Sequence, residues 1–449
     1  MASWKLIVED YGKIKSAQVE ILPLTLFVGD NNSGKSYLLA LLWGIEFFGV
    51  EGLIGREYSQ SQENDKLIAW IQKQIESTIE NGKQTVYLEE VAELLQVVLN
   101  HELEKNKNNL VRKIFNSENI NIGKLCIELR DIEKKKLHFQ ITEDKDFLEV
   151  EKDRFSIEIS AYINGKTDIK KEIAMFVLGQ IYSILMDIRW DGALHFINSH
   201  IYLPAAKTGF MLTKDIINKF GRKNTFNMYY EREQVTPFIR PINQFLDVME
   251  DLRIESFGTE KCLQLVSDLE NEMTYGTIEF STMPNKEIQY MPIGCKESIP
   301  LRLSSAVVTE LSPLILILKH KSIINKFYYE EPEMCLHPQL QHKMGKFIVR
   351  AVNSGIGMVI TTHSDIILQH INNMIKLAKH EDCEVLCEKF GYEKQDLLFE
   401  NQVKVYQFEE KGAEKTKIRE LICGENGFAV QTFNDALDMI MDEAYEIQG

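Results

Sequence analysis

The feature that most constrains this chain is the loop Gly29-Asp30-Asn31-Asn32-Ser33-Gly34-Lys35-Ser36, which reads G-x-x-x-x-G-K-S. An apolar run, LTLFV, precedes it and another, YLLALLWGIEFF, follows. The first reads as a buried strand and the second as a helix from about Lys35 to Phe48. Strand, glycine-rich turn and helix in that order make a cradle. The glycines let successive backbone N–H groups point inward, and the helix start adds its partial positive charge. Such a cradle suits phosphate. Gly29, Asn32, Ser33 and Gly34 shape it, Lys35 reaches the β- and γ-phosphates, and Ser36 offers a hydroxyl to Mg2+.

Three later segments complete a site of that kind. INKFYYEEPEMCLHP places Glu330 and Glu331 where a short apolar strand ends. In an open α/β sheet that is where ligands bind. Glu330 would hold Mg2+ and Glu331 would take a proton from the attacking water. GMVITTHSD puts His363 at the end of the next strand, able to contact the γ-phosphate. LRLSSAVVTEL starts a helix at Ser304 and Ser305. Serines there are commonly plain caps, and the same geometry can also bind phosphate.

Residues 3–10 and 17–28 read as strands, and 55–120 as mostly helical, with apolar residues three and four apart. Residues 124–163 alternate and predict a three-stranded meander, followed by a helix over 168–189. Residues 200–203 form a short strand, 210–275 are largely helical, and GTIEFST with EIQYMPIG predicts a hairpin. From residue 299 onward the chain alternates: helix 304–319, strand 326–330, helix 338–353, strand 357–361, helix 365–378. That alternation implies a parallel sheet flanked by helices. A strand, QVKVYQFEE, and a helix near 432–446 close the chain.

Composition removes several classes. No apolar stretch reaches the 18 or so residues of a membrane helix, and the start, MASWKLIVED, lacks a signal-peptide core. Seven scattered cysteines fit reduced thiols in the cytoplasm. Cys383 and Cys387 stand four apart with no second pair to complete a zinc site. The net charge of −16 argues against DNA as a constant partner, while a local basic groove stays open. It fits a protein whose partners are basic. No heptad repeat of a long coiled coil is present.

The four segments in this order resemble ABC-type ATPases of the RecF, SMC and OLD branch. The opening KLIVEDYGKIKSAQVEILPLTLFVGDNNSGKS looks like that branch's N-terminal lobe. YYEEPEMCLHP is very similar to its Walker B and D-loop, and IYLPAAKTGF resembles a Pro-Ala-x-Arg segment of its compact members. The resemblance covers roughly residues 1–48 and 198–449. It implies an α/β head with a mixed lobe I sheet and a mainly parallel core sheet, carrying a helical and antiparallel β insertion. The organisation expected is 1–50 as N-terminal lobe, 51–197 as insertion and 198–449 as the rest of the head. Gly29, Asn32, Gly34, Lys35 and Ser36 become Walker A. Glu330 takes the Walker B aspartate position and Glu331 the catalytic glutamate position. Leu336, His337 and Pro338 lie in the D-loop, and His363 is the switch histidine. Ser304 and Ser305 take the signature position, facing ATP on a second subunit. The resemblance thus implies a homodimer, or a larger even-numbered assembly, closing through its ATP sites. Two positions depart: the signature reads Leu-Ser-Ser-Ala-Val, without its glycines, and Lys207 replaces the arginine. Gln140 is a candidate for the Q-loop.

The task itself is not written in a head. Compact heads of this kind resemble the ATPase subunits of antiphage systems such as Septu and PARIS. That implies a sensor and scaffold controlling a separately encoded nuclease or toxin, with a phage protein as trigger. A RecF- or SMC-like DNA maintenance ATPase is the alternative, though basic groove and coiled arms are not visible. An OLD-like nuclease is disfavoured. The tail is too short for a TOPRIM domain, and Asp435, Asp438 and Asp442 have helical spacing. The loop gives a first prediction: Lys35→Ala loses ATP binding or hydrolysis, measured by nucleotide titration and phosphate release.

Overall fold

The computed structural model describes residues 3–54, 61–132, 135–142, 155–160, 169–186, 199–213, 238–252, 258–281, 287–410, 415–430 and 441–447. Its strands are β1 (Ser3–Tyr11), β2 (Ile14–Ile21), β3 (Leu24–Gly29), β4 (Lys83–Tyr87), β5 (Ile122–Arg130), β6 (Lys136–Thr142), β7 (Phe155–Ser160), β8 (His200–Leu203), β9 (Gly276–Phe280), β10 (Ile288–Pro292), β11 (Ile299–Pro300), β12 (Lys326–Glu330), β13 (Gly357–Thr361), β14 (Val403–Glu409) and β15 (Thr416–Leu421). The helices are α1 (Lys35–Ile54), α2 (Gln62–Asn81), α3 (Leu88–Phe115), α4 (Ile169–Leu185), α5 (Arg240–Asp251), α6 (Glu260–Leu269), α7 (Ala306–His320), α8 (Pro338–Asn353), α9 (Asp365–Lys379) and α10 (Cys383–Phe390). They belong to two compact units. One comprises 1–21, 44–112 and 118–198; the other comprises 22–43, 113–117 and 199–449. The boundaries at 21/22 and 43/44 fall inside the segment that sequence alone reads as one N-terminal lobe.

In the first unit β1 pairs antiparallel with both β2 and β5. The residues expected to form a meander do not pair consecutively. β6 lies antiparallel to β4 and parallel to β7, so β5 and β6 belong to different sheets. Strand β4, inside the stretch whose periodicity predicts helix, supplies the partner that a meander would have drawn from β5. The outer edge of β5 is closed by side chains of α3. Asn100 accepts from Ile127 N–H at 2.7 Å and donates to Ile127 O at 2.9 Å. Gln96 accepts from Leu129 N–H, and Asn108 from Ile122 N–H. These amides satisfy a strand edge that would otherwise be open to pairing.

In the second unit a mainly parallel sheet runs β15-β14-β3-β13-β12-β8. Only β15 is antiparallel to its neighbour. β3, β8, β12 and β13 are buried almost throughout, as parallel strands covered on both faces are. The single strand expected over 17–28 is two, broken at Leu22–Pro23, where Thr25 Oγ1 both accepts from Leu22 N–H and donates to Leu22 O. Helix α1 extends past Phe48 across a kink at Gly49, whose φ is 55°. Pro313 sits inside α7. It cannot donate to Thr309 O, and Ser312 Oγ does so instead at 2.8 Å. The predicted hairpin is β9–β10. Parts of the expected helices at 168–189, 210–275 and 432–446 lie outside the described residues, with Asp435 and Asp438 among them.

α8 and α9 pack over this sheet through a histidine pair. His370 Nδ1 lies 3.2 Å from His342 Nε2, which also meets the Tyr392 hydroxyl at 3.3 Å. His370 is buried, and its Nε2 has no hydrogen-bond partner. Burial first, then His342, lowers the His370 pKa to about 3. The folded chain therefore keeps this imidazole neutral, while the unfolded chain protonates it below about pH 6.5. Stability is full above that value and falls as pH drops toward 3, by at most about 1.4 kcal/mol per pH unit from this group. His370→Leu is expected to flatten the fall in urea midpoint between pH 7 and pH 5; a slope equal to the wild type would count against it.

Candidate active site

The parallel register brings the ends of five strands into line. Gly29 is level with Phe408, Phe27 with Thr361, Thr361 with Glu330, and Tyr329 with Leu203. The loops leaving β3, β12, β13 and β8 therefore open at one edge of the sheet, where ligands bind in such folds.

The loop after β3 is built as a cradle. Gly29 has φ 118°, Asn32 58° and Gly34 97°. A Cβ on Gly29 would lie 2.3 Å from Phe408 O, so this glycine is required by both conformation and space. Asp30 ties the loop to the end of β14: its N–H points at Phe408 O, and its Oδ2 accepts from Glu410 N–H at 3.3 Å. Ser33 Oγ donates to Asp30 O at 2.7 Å. Lys35 is buried and folds back over the loop. Its Nζ donates to Gly29 O at 3.0 Å and Asp30 O at 2.5 Å, with Ser33 Oγ at 3.3 Å. Burial lowers its pKa to about 8, opposed by Glu331, Asp30 and Glu333. An incoming phosphate would replace three neutral oxygens with anionic ones. Ser36 is exposed at the helix start.

The acids after β12 sit in a strained turn. Glu331 has φ 43° and Cys335 has φ 61°, a region that costs a non-glycine residue about 1–3 kcal/mol. Glu331 N–H donates to Thr361 O at 2.9 Å, and Met334 N–H to Glu331 O at 3.0 Å, which hold the shape. Burial raises the Glu331 pKa, and Glu330 adds to it. A carboxylate so placed is a stronger base than one in water. His363 Nε2 stands 3.9 Å from Glu331 Oε1, beyond hydrogen-bond reach. Burial, then Lys35, lowers the His363 pKa, so the ring is neutral at neutral pH.

Glu333 is a residue that sequence reasoning missed. It accepts from His363 N–H at 2.6 Å and from Thr362 Oγ1 at 2.9 Å, fixing the backbone that carries the histidine. The signal was present in the third acid of EEPE, one turn from the strand end. Glu330 accepts from Ala205 N–H through Oε2 at 3.0 Å. The Ser36 hydroxyl and the Glu330 carboxylate are hard oxygen donors, which suit Mg2+. Lys207, at the position of the missing arginine, turns inward to Glu310.

The structure brings Lys35, Glu331 and His363 into each other's fields. Ser304 and Ser305 serve local ends. Ser304 Oγ donates to Leu301 O at 2.6 Å, and Ser305 caps α7 by accepting from Val308 N–H at 3.4 Å. His337 caps α8, and Leu336 is buried. Gln140 lies exposed in β6 opposite Lys83, in the other unit.

Fold and loop together define a P-loop ATPase of α/β architecture. Residues 1–368 match the model of the AAA ATPase domain, and the chain belongs to that family. Solved SMC head domains are similar to it. One bound to the C-winged helix domain of ScpA is 13% identical, with 93% of this chain and 96% of that one covered at a TM-score of 0.36. The SMC head domain from Thermotoga maritima is 12% identical, covering 94% and 100%, at 0.34. An SMC head with an extended coiled coil, bound to the C-terminal domain of ScpA derived from Pyrococcus furiosus, is 10% identical, covering 100% of both, at 0.35. No curated protein matches the chain. Among the described residues no helix is long and apolar enough to cross a membrane.

Gly29→Ala is expected to weaken ATP binding by about tenfold or more, because a conformational cost of about 1–3 kcal/mol falls on the cradle itself. Titration with a fluorescent ATP analogue measures it; unchanged affinity would refute the cradle assignment.

Proposed function

We propose that the chain is an ABC-type ATPase head that binds ATP with Mg2+ and hydrolyses it, closing as a homodimer or larger even-numbered assembly around its nucleotides. The meeting of Lys35, Glu331 and His363 at adjacent strand ends carries this reading. Lys35 leaves its loop carbonyls for the β- and γ-phosphates. Glu331, with its raised proton affinity, takes the proton from the water that attacks the γ-phosphorus. His363, neutral and held by Glu333, contacts the γ-phosphate and senses its loss. Ser36 and Glu330 hold Mg2+, which when bound neutralises charge on the phosphates. Ser304 and Ser305, at the start of α7, face the nucleotide of the second subunit, where the helix N-terminus favours anions. Closure is then a population shift driven by the extra contacts ATP makes in the closed state.

The task we propose is cytoplasmic antiphage defence. The head senses a phage protein and controls a separately encoded effector, a nuclease or a toxin. The acidic total of −16 supports a basic protein partner over constant DNA binding. The likeness of the motif set to compact defence ATPases supports the same reading.

Glu331→Gln is expected to keep ATP binding and lose turnover by about 10²–10⁴-fold, the usual worth of a positioned base. Unchanged phosphate release would remove Glu331 from the mechanism. The same variant, tagged and purified from its host, should retain the effector in fixed ratio. Recovery of DNA with repair or replication proteins would displace the defence assignment.

A further inference from the structure

The turn after β8 makes contacts that phosphate binding alone does not call for. Ala205 N–H donates to Glu330 Oε2 at 3.0 Å. Two residues on, Lys207 is wholly buried. Its Nζ lies 2.7 Å from Glu310 Oε1, donates to Pro204 O at 3.1 Å, and sits 4.7 Å over the Tyr329 ring. The other Glu310 oxygen, Oε2, accepts from Thr208 N–H at 2.9 Å and Thr208 Oγ1 at 2.7 Å. Between these anchors Ala206 has φ 45°, and Gly209 N–H closes on Ala206 O at 3.0 Å. A left-handed alanine persists only where its surroundings over-determine it.

One short turn thus holds two elements. At one end is the carboxylate that ends β12. At the other is the second turn of α7, where Glu310 follows Thr309. The Thr309 hydroxyl lies 3.3 Å from Ser304 Oγ. A buried ion pair is a weak source of stability, because desolvating both charges offsets their attraction, and apolar residues of similar volume often do as well. Here the pair, with the Thr208 contacts, fastens Glu310 to residues 204–208. The Oε2 of Glu330 is engaged by a backbone donor whose place depends on the turn.

We infer that Lys207 and Glu310 are positioning residues. Their ion pair locks residues 204–208 so that Ala205 N–H orients the Glu330 carboxylate, and it ties that carboxylate to the head of α7. This rests on the proposed use of Glu330 as a metal ligand and of Ser304 and Ser305 as phosphate contacts.

The test is hydrogen exchange on the full chain without nucleotide, comparing the wild type with Lys207→Met/Glu310→Leu. That double variant removes both charges at similar volume and leaves no unpaired buried charge. Exchange is expected to rise about tenfold or more both at residues 205–208 and at residues 301–309, with peptides from β3 unchanged. Thr208→Val removes one hydroxyl bond to Glu310 and guards against misfolding of the double variant; it should raise both segments about threefold. Wild-type exchange at either segment in both variants overturns the inference. In turnover assays the double variant should need about tenfold more Mg2+ for half-maximal rate, with Mg2+-free nucleotide binding unchanged. If the wild type hydrolyses no ATP, the proposed function falls, while the exchange measurement still decides whether the pair positions the turn.

Discussion

The parallel register around β3 is the constraint on which the site depends. β3 lies between β14 and β13, and its last residues are level with Phe408 and Thr361. β12 continues the alignment through Glu330 opposite Thr361. Hydrogen bonds between parallel strands fix this register, and one residue of slip would invert every side chain on a strand. The positions of Lys35, Glu331 and His363 are therefore consequences of sheet packing, with the loops adding only local shape.

Local shape is where strain collects. Glu331, Cys335 and Ala206 all have positive φ without being glycine, and all lie on the loops that leave β12 and β8. Glu331 is held by Thr361, and Ala206 by the turn that Lys207 and Glu310 anchor. Residues kept in sparsely populated conformations cluster at functional sites because only a rigid surround can keep them there. The electrostatics follow the same logic. Burial moves Lys35 and His363 toward neutrality and Glu331 toward higher proton affinity. Opposite charges nearby limit those shifts for Lys35 and Glu331.

Much of this is legible in the chain. The loop at 29–36 carries its own geometry in glycines and flanking apolar runs. The βα alternation from residue 299 onward is placed to within a few residues, because long periodic segments declare their type. Sequence reasoning fails where a segment's partner is distant. β4 is hidden in a helical stretch, since KQTVY is short and its pairing with β6 is a tertiary fact. The expected meander is lost for the same reason: alternation says that a segment is a strand and does not say beside what. Pro23 divides a run that hydrophobicity alone joins.

The sequence by itself determined the class of the fold, the phosphate cradle, and the residues available for chemistry at strand ends. These depend on backbone preferences and on periodicity within a few residues. Only the tertiary structure decided that Lys207 turns into the interior to meet Glu310, and that Glu333 holds the His363 backbone. The physical reason is that a side chain's direction and partner are set by burial and by groups far away in sequence. No local pattern encodes which buried cation will meet which buried acid.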